Sequence, residues 1–372
     1  MSLTLQPISR EQHLAYIRSL PAASHCQIPA WADVKSEWRA ENLGWFDADG
    51  RQVGAALVLY RQLPKVKRYL AYLPEGPVID WYAPNLDQWL NPMLAHLKSQ
   101  GAFSVKMGPP VIIRRWEAPT IKAGIADPDV KRLRDVNADV VEPQAFEVAE
   151  RLRRMGWQQG EDGGAGFGDV QPRYVFQVPL AGRSLDEVFK GFNQLWRRNV
   201  KKAEKAGVEV VQGGLEHFGE WQRLYEITAE RDKFRPRPQG YFERMWKVLN
   251  AEEPGRMRLY FALYQGECLA ATTMLTVGGH VWYSYGASAN HGREVRPSNA
   301  IQWQMMKDAH AAGAHVYDLR GIGDALVDSD HLFGLIQFKV GTGGQAAEYL
   351  GEWDYPLNKL LHKALDIYMS RR

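Results

Sequence analysis

The sequence predicts an α/β (α+β) chain made of two similar domains in tandem. Three observations lead there. One order of elements occurs twice: hairpin strands, a further strand, a helix, a glycine stop and another strand. The 372 residues are enough for two domains with cores of their own. A glycine-rich stretch, Gly160 to Gly168, lies between the two copies and reads as a linker. The boundary is therefore set at residue 165, giving domains 1–165 and 166–351, with residues 352–372 expected to pack back on the first. Such a pair suggests two domains facing each other, with a cleft for large substrates.

The elements follow in chain order. Leu3 to Pro7 reads as a short strand. Ser9 to Leu20 reads as a helix, because Ser9 followed by Gln12 makes a capping box. Pro29 to Ala40 is expected as a second helix carrying Trp31, Val34, Lys35 and Trp38. The first copy then runs through the hairpin around Asp49 to Leu59, a strand from Arg68 to Leu73, a helix from Leu86 to Gln100, the stop at Gly101, and a strand from Phe103 to Met107. Arg114 to Val140 is charged and irregular, and is expected as a surface loop with short helical turns. Pro143 to Met155 has an amphipathic pattern ending at Gly156. Beyond the linker come a strand from Tyr174 to Pro179, a long helix from Ser184 to Ala206, a strand from Val208 to Val211 and a helix from Leu215 to Asp232. Arg235 to Tyr241 is a proline-stiffened loop opening the next helix. The second copy contains the hairpin from Gln265 to Leu275, a strand from His280 to Tyr285, a helix from Asn299 to Ala312, the stop at Gly313, and a strand from His315 to Leu319. His331 to Phe338 and Leu357 to Met369 are the last expected helices.

Composition narrows the class. Hydrophobic residues at 45% and charged residues at 24% are those of a soluble globular protein. No uncharged apolar run is long enough to cross a membrane, and Met1 to Arg10 lacks a signal-peptide core. These observations predict a cytoplasmic protein. Cys26 and Cys268 are the only cysteines, which fits a reducing compartment and offers no disulfide framework or metal-ligand spacing. Thirteen tryptophans suit flat or sugar-like ligands as well as aromatic-rich cores.

Few residue patterns carry chemistry. Lys190, Arg197, Arg198, Lys201, Lys202 and Lys205 are read on one helix, and Arg197, Lys201 and Lys205 share i, i+4 spacing. Arg231, Lys233, Arg235 and Arg237 form a second basic cluster, and Arg61, Lys65, Lys67 and Arg68 a third. Either a phosphate-rich partner such as RNA or plain solvation accounts for them. No P-loop, dinucleotide fingerprint or Gly-x-Ser-x-Gly elbow is present. Asp328, Asp330 and His331 read as a polar loop before a helix, so no metal is expected. His25 beside Cys26 is weak evidence for a nucleophile. Lys339, at the end of an apolar helix and before Gly341, Gly343 and Gly344, reads either as an oxyanion stabiliser, with glycines admitting another chain, or as a cation meeting the helix dipole.

Several motifs together resemble the Fem (FemABX) family of tRNA-dependent peptidoglycan aminoacyltransferases. They are Gln194 to Ala203, Arg237 with Tyr241, Trp282 to Ser288, Tyr317 to Ile322 and Phe338 to Gly341. The resemblance covers essentially the whole chain and looks closest to an actinobacterial FemX-like branch. It implies two GNAT-like (acyl-CoA N-acyltransferase-like) domains, and the span Asn193 to Asp232 is too short for the coiled-coil arm of some members. It implies transfer of an amino acid, glycine first and alanine or serine next, from aminoacyl-tRNA to the side-chain amine of the peptidoglycan stem peptide. The acceptor is UDP-MurNAc-pentapeptide or lipid II. No cofactor beyond the aminoacyl-tRNA co-substrate is implied. A monomer is expected, meeting the inner membrane face peripherally through lipid II. Lys35, Arg237 and Tyr241 match contacts to the precursor, and Tyr283 or Tyr285 matches a groove tyrosine. Phe338 and Lys339 match the pair near the tRNA acceptor end. The family's aspartate before a proline is replaced here by Gly108 before Pro109, so a general-base role does not carry over. The rival readings are a transferase of a peptide-antibiotic pathway, a non-catalytic RNA-binding protein and an acetyl-CoA-dependent acetyltransferase. The last lacks its pyrophosphate loop in this sequence.

Overall fold

The computed structural model describes residues 3–64, 66–160 and 170–370, and the side chains up to residue 364. Residues 161–168 of the glycine-rich stretch, where the sequence places the boundary, and Lys65 of the third basic cluster lie outside the described residues. The chain forms two compact units. The first comprises Met1–Arg115, Val140–Arg173 and Ala347–Arg372, and the second Trp116–Asp139 and Tyr174–Ala346.

The first unit is built on a seven-stranded sheet. Its order is Thr4–Pro7, Arg39–Phe46, Gln52–Gln62, Tyr69–Leu73, Ala102–Met107, Trp353–Pro356 and Gln158–Gln159. The first four strands pair antiparallel, and Tyr69–Leu73 runs parallel to Ala102–Met107. A parallel pair needs a crossover, and the helix Leu86–Ser99 supplies it. That helix buries Trp89, Leu90, Met93 and Leu97 against Trp45, Val58 and Val105 of the sheet. Near the C-terminus, Trp353–Pro356 pairs with Ala102–Met107, and the Ser104 hydroxyl lies 2.8 Å from His362 Nδ1.

The second unit repeats this layout. Glu209–Gly213, Met257–Tyr264, Glu267–Val277 and His280–Ser288 pair antiparallel in that order. The helix Pro297–Ala311 then crosses over to Val316–Gly321, which runs parallel to His280–Ser288 and antiparallel to Tyr174–Pro179. Gly101 and Gly313 hold the same place in the two copies. Each follows its helix with a left-handed backbone, φ +86° and +75°, which a residue without a Cβ adopts at no steric cost. The parallel pairing in the second unit covers only His280–Trp282 against Val316–Asp318. Past that point no pairing with Tyr283 to Ser288 on that side occurs among the described residues, and a cavity forms beside them.

Four expectations change. The helix expected over Pro29 to Ala40 is one turn, Trp31–Val34, because Lys35 leaves helical geometry at ψ 41° and the chain enters a strand at Arg39. Sheet pairing outcompetes a helix too short to hold itself. The long helix from Ser184 is two helices, Leu185–Gly191 and Gln194–Ala206. Phe192 is extended between them, and the Asn193 side chain accepts from Trp196 N to cap the second. The expected loop from Arg114 to Val140 holds a strand, Ile112–Glu117, and a helix, Ala118–Ala126. It also buries Trp116, Ile121 and Leu133 in the core of the second unit. Finally, the glycines after Lys339 admit this chain's own groups. A Cβ on Gly341 would meet Trp196 Cδ1 at 2.2 Å, one on Gly343 the Gly191 carbonyl oxygen at 1.9 Å, and one on Gly344 the Gln177 carbonyl oxygen at 2.2 Å.

Candidate functional site

In the second unit, the helix Phe333–Val340 places two adjacent side chains differently. Phe338 lines the cavity. Lys339 is 3% exposed and reaches out of its helix, donating from Nζ to Gly321 O at 2.6 Å and to Arg320 O at 3.4 Å. It is therefore not a solvated helix-end charge. Burial pulls its pKa down from 10.5 to about 7; the neighbouring Asp318 carboxylate acts against that, and Arg320 reinforces it. Arg320 adopts φ +62°, a left-handed conformation uncommon outside glycine and one that clusters at functional sites.

Asp318 is 1% exposed. It accepts from Gln177 Nε2 at 3.0 Å and from Arg320 N at 2.6 Å, and lies 3.1 Å from His280 Nε2. His280 stacks on Trp282 with ring centroids 4.0 Å apart. Burial raises the carboxyl pKa, but the His280 hydrogen bond and charge, Arg320 and Gln177 outweigh it, so the net shift is downward. Sequence reasoning passed over Asp318, which it read only as part of a motif.

The cavity, about 240 Å³, is lined by Phe338, Tyr283, Thr272, Arg231, Asp232 and Gln302 among others. Burial, then the charge of Asp232, pushes the Tyr283 hydroxyl up to about 12. Gly286 makes room for that hydroxyl, since a Cβ there would lie 1.9 Å from it. The family resemblance left the choice between Tyr283 and Tyr285 open, and a β-bulge separates them. Thr273 pairs with Tyr285 and Met274 with Tyr283, so Ser284 is an extra residue and the two tyrosines turn to different neighbours. Tyr283 packs toward the core around Tyr317. Tyr285 meets Phe242 and Tyr225 edge-on, at 5.1 and 6.4 Å.

Arg237 stands with Tyr285. Its guanidinium lies 4.6 Å from the Tyr241 ring centroid and hydrogen-bonds the Tyr285 side chain. Tyr241 is buried, and Arg237 is exposed. The helix Gln239–Glu252 opens directly after Pro238, which positions the pair. An exposed arginine on a rigid aromatic floor suits a phosphate ligand.

The basic helix presents fewer cations than its spacing predicts. Arg197 turns inward to the carbonyls of Lys190 and Phe192, while Arg198, Lys201, Lys202 and Lys205 are exposed. Trp196, on the inner face of the same helix, donates from Nε1 to Phe338 O at 2.8 Å. Trp196 thus ties the helix that carries the exposed cations to the Phe338–Lys339 corner.

In the first unit, Lys35 caps the turn Trp31–Val34, with Nζ 5.4 Å from the Trp31 ring centroid. Glu75 and Glu352 flank Gly108. A Cβ there would lie 3.3 Å from Glu75 N and 3.6 Å from Glu352 Cγ. The Glu352 carboxylate accepts from Tyr72 OH at 2.5 Å and Val170 N at 2.9 Å. These carboxylates are distant from Gly108 in sequence, and no local pattern signalled them. Asp330 and His331 form a loop contact of 3.9 Å, and Asp330 accepts from Leu332 N at the start of the helix.

No described helix is long and apolar enough to cross a membrane. The FemAB family model matches residues 8–253 and 261–369. The chain is 24% identical to the "Lipid II:glycine glycyltransferase" of Staphylococcus aureus strain USA300, over 96% of this chain and 94% of that protein. Among solved structures it is similar to "Crystal structure of FemX", at 22% identity and TM-score 0.79, covering 97% of this chain and 99% of that one. It also resembles a tandem GNAT protein from the clavulanic acid biosynthesis pathway, at 12% identity and TM-score 0.52, covering 96% and 99%. The fold is accordingly two tandem GNAT-like domains, and no coiled-coil arm occurs among the described residues.

Proposed function

The chain belongs to the FemAB family, and from that premise we propose that it is an aminoacyltransferase of peptidoglycan synthesis. It moves an amino acid, glycine first among the candidates, from aminoacyl-tRNA to the side-chain amine of the stem peptide on a cell-wall precursor. The observation that carries this reading is the family match along nearly the whole chain, with relatives named for glycyl transfer onto lipid II. It implies a cytoplasmic protein that meets a lipid-linked or nucleotide-linked acceptor.

The chemistry asks little of the protein. The amine attacks the ester carbonyl, a tetrahedral oxyanion forms, and the ribose oxygen leaves with the proton the amine gives up. Lys339 supports the oxyanion. Two of the three Nζ–H donors are engaged by Arg320 O and Gly321 O, which leaves one for the developing charge. Phe338 and the cavity beside it hold the aminoacyl end. Lys35 and Arg237 hold phosphate oxygens of the precursor, and Arg237 can do so bidentately.

Incubating the protein with charged tRNA, labelled amino acid and precursor tests the reading. Label must appear on the precursor and must depend on the tRNA; transfer from acetyl-CoA, or none, overturns it. Lys35→Ala and Arg237→Ala are expected to weaken precursor binding, each by about 1.5–3 kcal/mol, with little change in tRNA affinity. Calorimetry that finds unchanged precursor affinity in both variants removes them from the site. Neutralising Arg198, Lys201, Lys202 and Lys205 together should flatten the salt dependence of tRNA binding, because fewer counterions are released. Arg197→Gln should leave that slope unaltered, since its guanidinium serves backbone carbonyls.

A further inference from the structure

We propose that the first unit carries a zinc site made by His25, Cys26 and Glu75. Nothing in the sequence spacing pointed to it, because Glu75 lies far along the chain from the other two. The fold brings one ligand atom from each within 4.8 Å of the others, and among the described residues this is the one such group.

The geometry fits a shared ion. Cys26 Sγ and His25 Nε2 are 3.5 Å apart. Zinc bonds of about 2.3 Å to sulfur and about 2.0–2.1 Å to nitrogen, at a tetrahedral angle, place these two atoms about 3.5 Å apart. The Glu75 carboxylate needs a shift of about an ångström to reach the usual ligand spacing around zinc. A nitrogen, a sulfur and an oxygen donor together suit zinc, whereas magnesium and calcium want oxygens alone. Cys26 binds as the thiolate, so its proton leaves to solvent as the metal enters.

The surroundings orient these ligands. Ser24 caps the 3-10 turn His25–Gln27, accepting from Cys26 N at 3.0 Å, and donates to Glu75 Oε2 at 2.5 Å. The His25 ring is fixed edge-on against Trp31, with centroids 5.1 Å apart. Glu75 is held at φ +49°, a left-handed conformation that a glutamate adopts only under constraint. His25 and Cys26 are 4% and 1% exposed, while Glu75 is half-buried and marks the side from which an ion would enter. Three protein ligands leave a fourth position open for water or for an oxygen of a bound anion. The Trp31 ring meets both the His25 ring and Lys35 Nζ, so the ion adds positive charge near the lysine already assigned to phosphate. The site would bind metal whether or not the protein transfers an aminoacyl group.

Equilibrium dialysis of the full chain against Zn(II), with metal content read by mass spectrometry, tests the proposal. One zinc per chain is expected, with Mg(II) unable to compete. Cys26→Ser and Glu75→Gln should each weaken binding by more than about 100-fold, and Ser24→Ala by about 10- to 100-fold as the loss of an orienting partner. Circular dichroism confirms that each variant is folded. Co(II) loaded in place of zinc should show a thiolate charge-transfer band that survives Cys268→Ser and vanishes in Cys26→Ser. Zinc bound equally by wild type and Cys26→Ser, or a cobalt spectrum without the thiolate band, overturns the site. The three groups would then be an ordinary thiol–imidazole contact beside a carboxylate.

Discussion

Lys339→Ala is expected to lower the chemical step by about 100- to 1,000-fold while leaving the binding of both substrates nearly unchanged, the usual cost of losing one oxyanion donor. Single-turnover kinetics with pre-bound aminoacyl-tRNA and precursor read this directly. A helix-end cation would be worth only about 0.3–1 kcal/mol of stability and nothing in rate. A normal chemical step in the alanine variant would therefore remove Lys339 from the mechanism.

The pH profile gives a second reading of the same residue. Lys339 must be protonated to stabilise the oxyanion, and its pKa is about 7. The attacking amine must be neutral, and a free alkyl amine has a pKa of roughly 10.4. Below about 7 the lysine is charged and the rate rises with pH as the amine deprotonates. Above it, the loss of charged lysine offsets the gain in free amine, so the wild-type rate levels off. Lys339→Arg keeps its charge throughout. Whatever rate it retains should go on rising past the wild-type plateau, and a variant that levels off at the same pH contradicts the assignment.

The same burial has a stability cost with a definite sign. The folded-state pKa, about 7, lies below the ordinary 10.5, so between these values the unfolded chain binds more protons at this site. The contribution of Lys339 to stability therefore improves as pH rises through that window and is at its worst below it. A protein that keeps a buried lysine at such a cost invites a functional explanation.

The repeat was legible in the sequence because it rests on local signals. Hairpin patterns, the helix periods and the stops at Gly101 and Gly313 are each written within a few residues, and the fold uses all of them. What failed was decided by distant partners. Pro29 to Ala40 has a helical pattern, but only Trp31–Val34 is helix, and the last two residues of the pattern, Arg39 and Ala40, are drawn into the strand that pairs with Gln52–Gln62. Arg197 has the spacing of an exposed face, yet two carbonyls at a helix break that the pattern did not reveal turn it inward. The site followed the same rule. Tyr283 and Tyr285 differ because of a bulge, whose signal lies in the partner strand. Asp318, Glu75 and Glu352 are single carboxylates whose meaning comes from neighbours brought by the fold.

Asp318→Ala is expected to cost about 3–5 kcal/mol in urea denaturation, the range for breaking a buried ionic group by removing one partner. The carboxylate is 1% exposed, and its loss removes an acceptor from Gln177 Nε2 and from Arg320 N and takes the neighbouring anion from Lys339. Asp318→Asn separates charge from packing, since it retains the shape and part of the hydrogen bonding. The folded carboxyl pKa lies below the ordinary 3.8, so its stabilisation is present above that value and is lost as pH falls through the folded value. In Asp318→Asn this part of the acid limb of the stability curve should disappear. The effect on Lys339 runs the other way. Asp318 raises the lysine pKa, so removing its charge should drop that pKa below 7 and bring the kinetic plateau in at lower pH. A merely structural Asp318 would lower the melting temperature without moving the plateau. If the plateau stays in place while the variant remains folded, Asp318 has no part in setting the charge of Lys339.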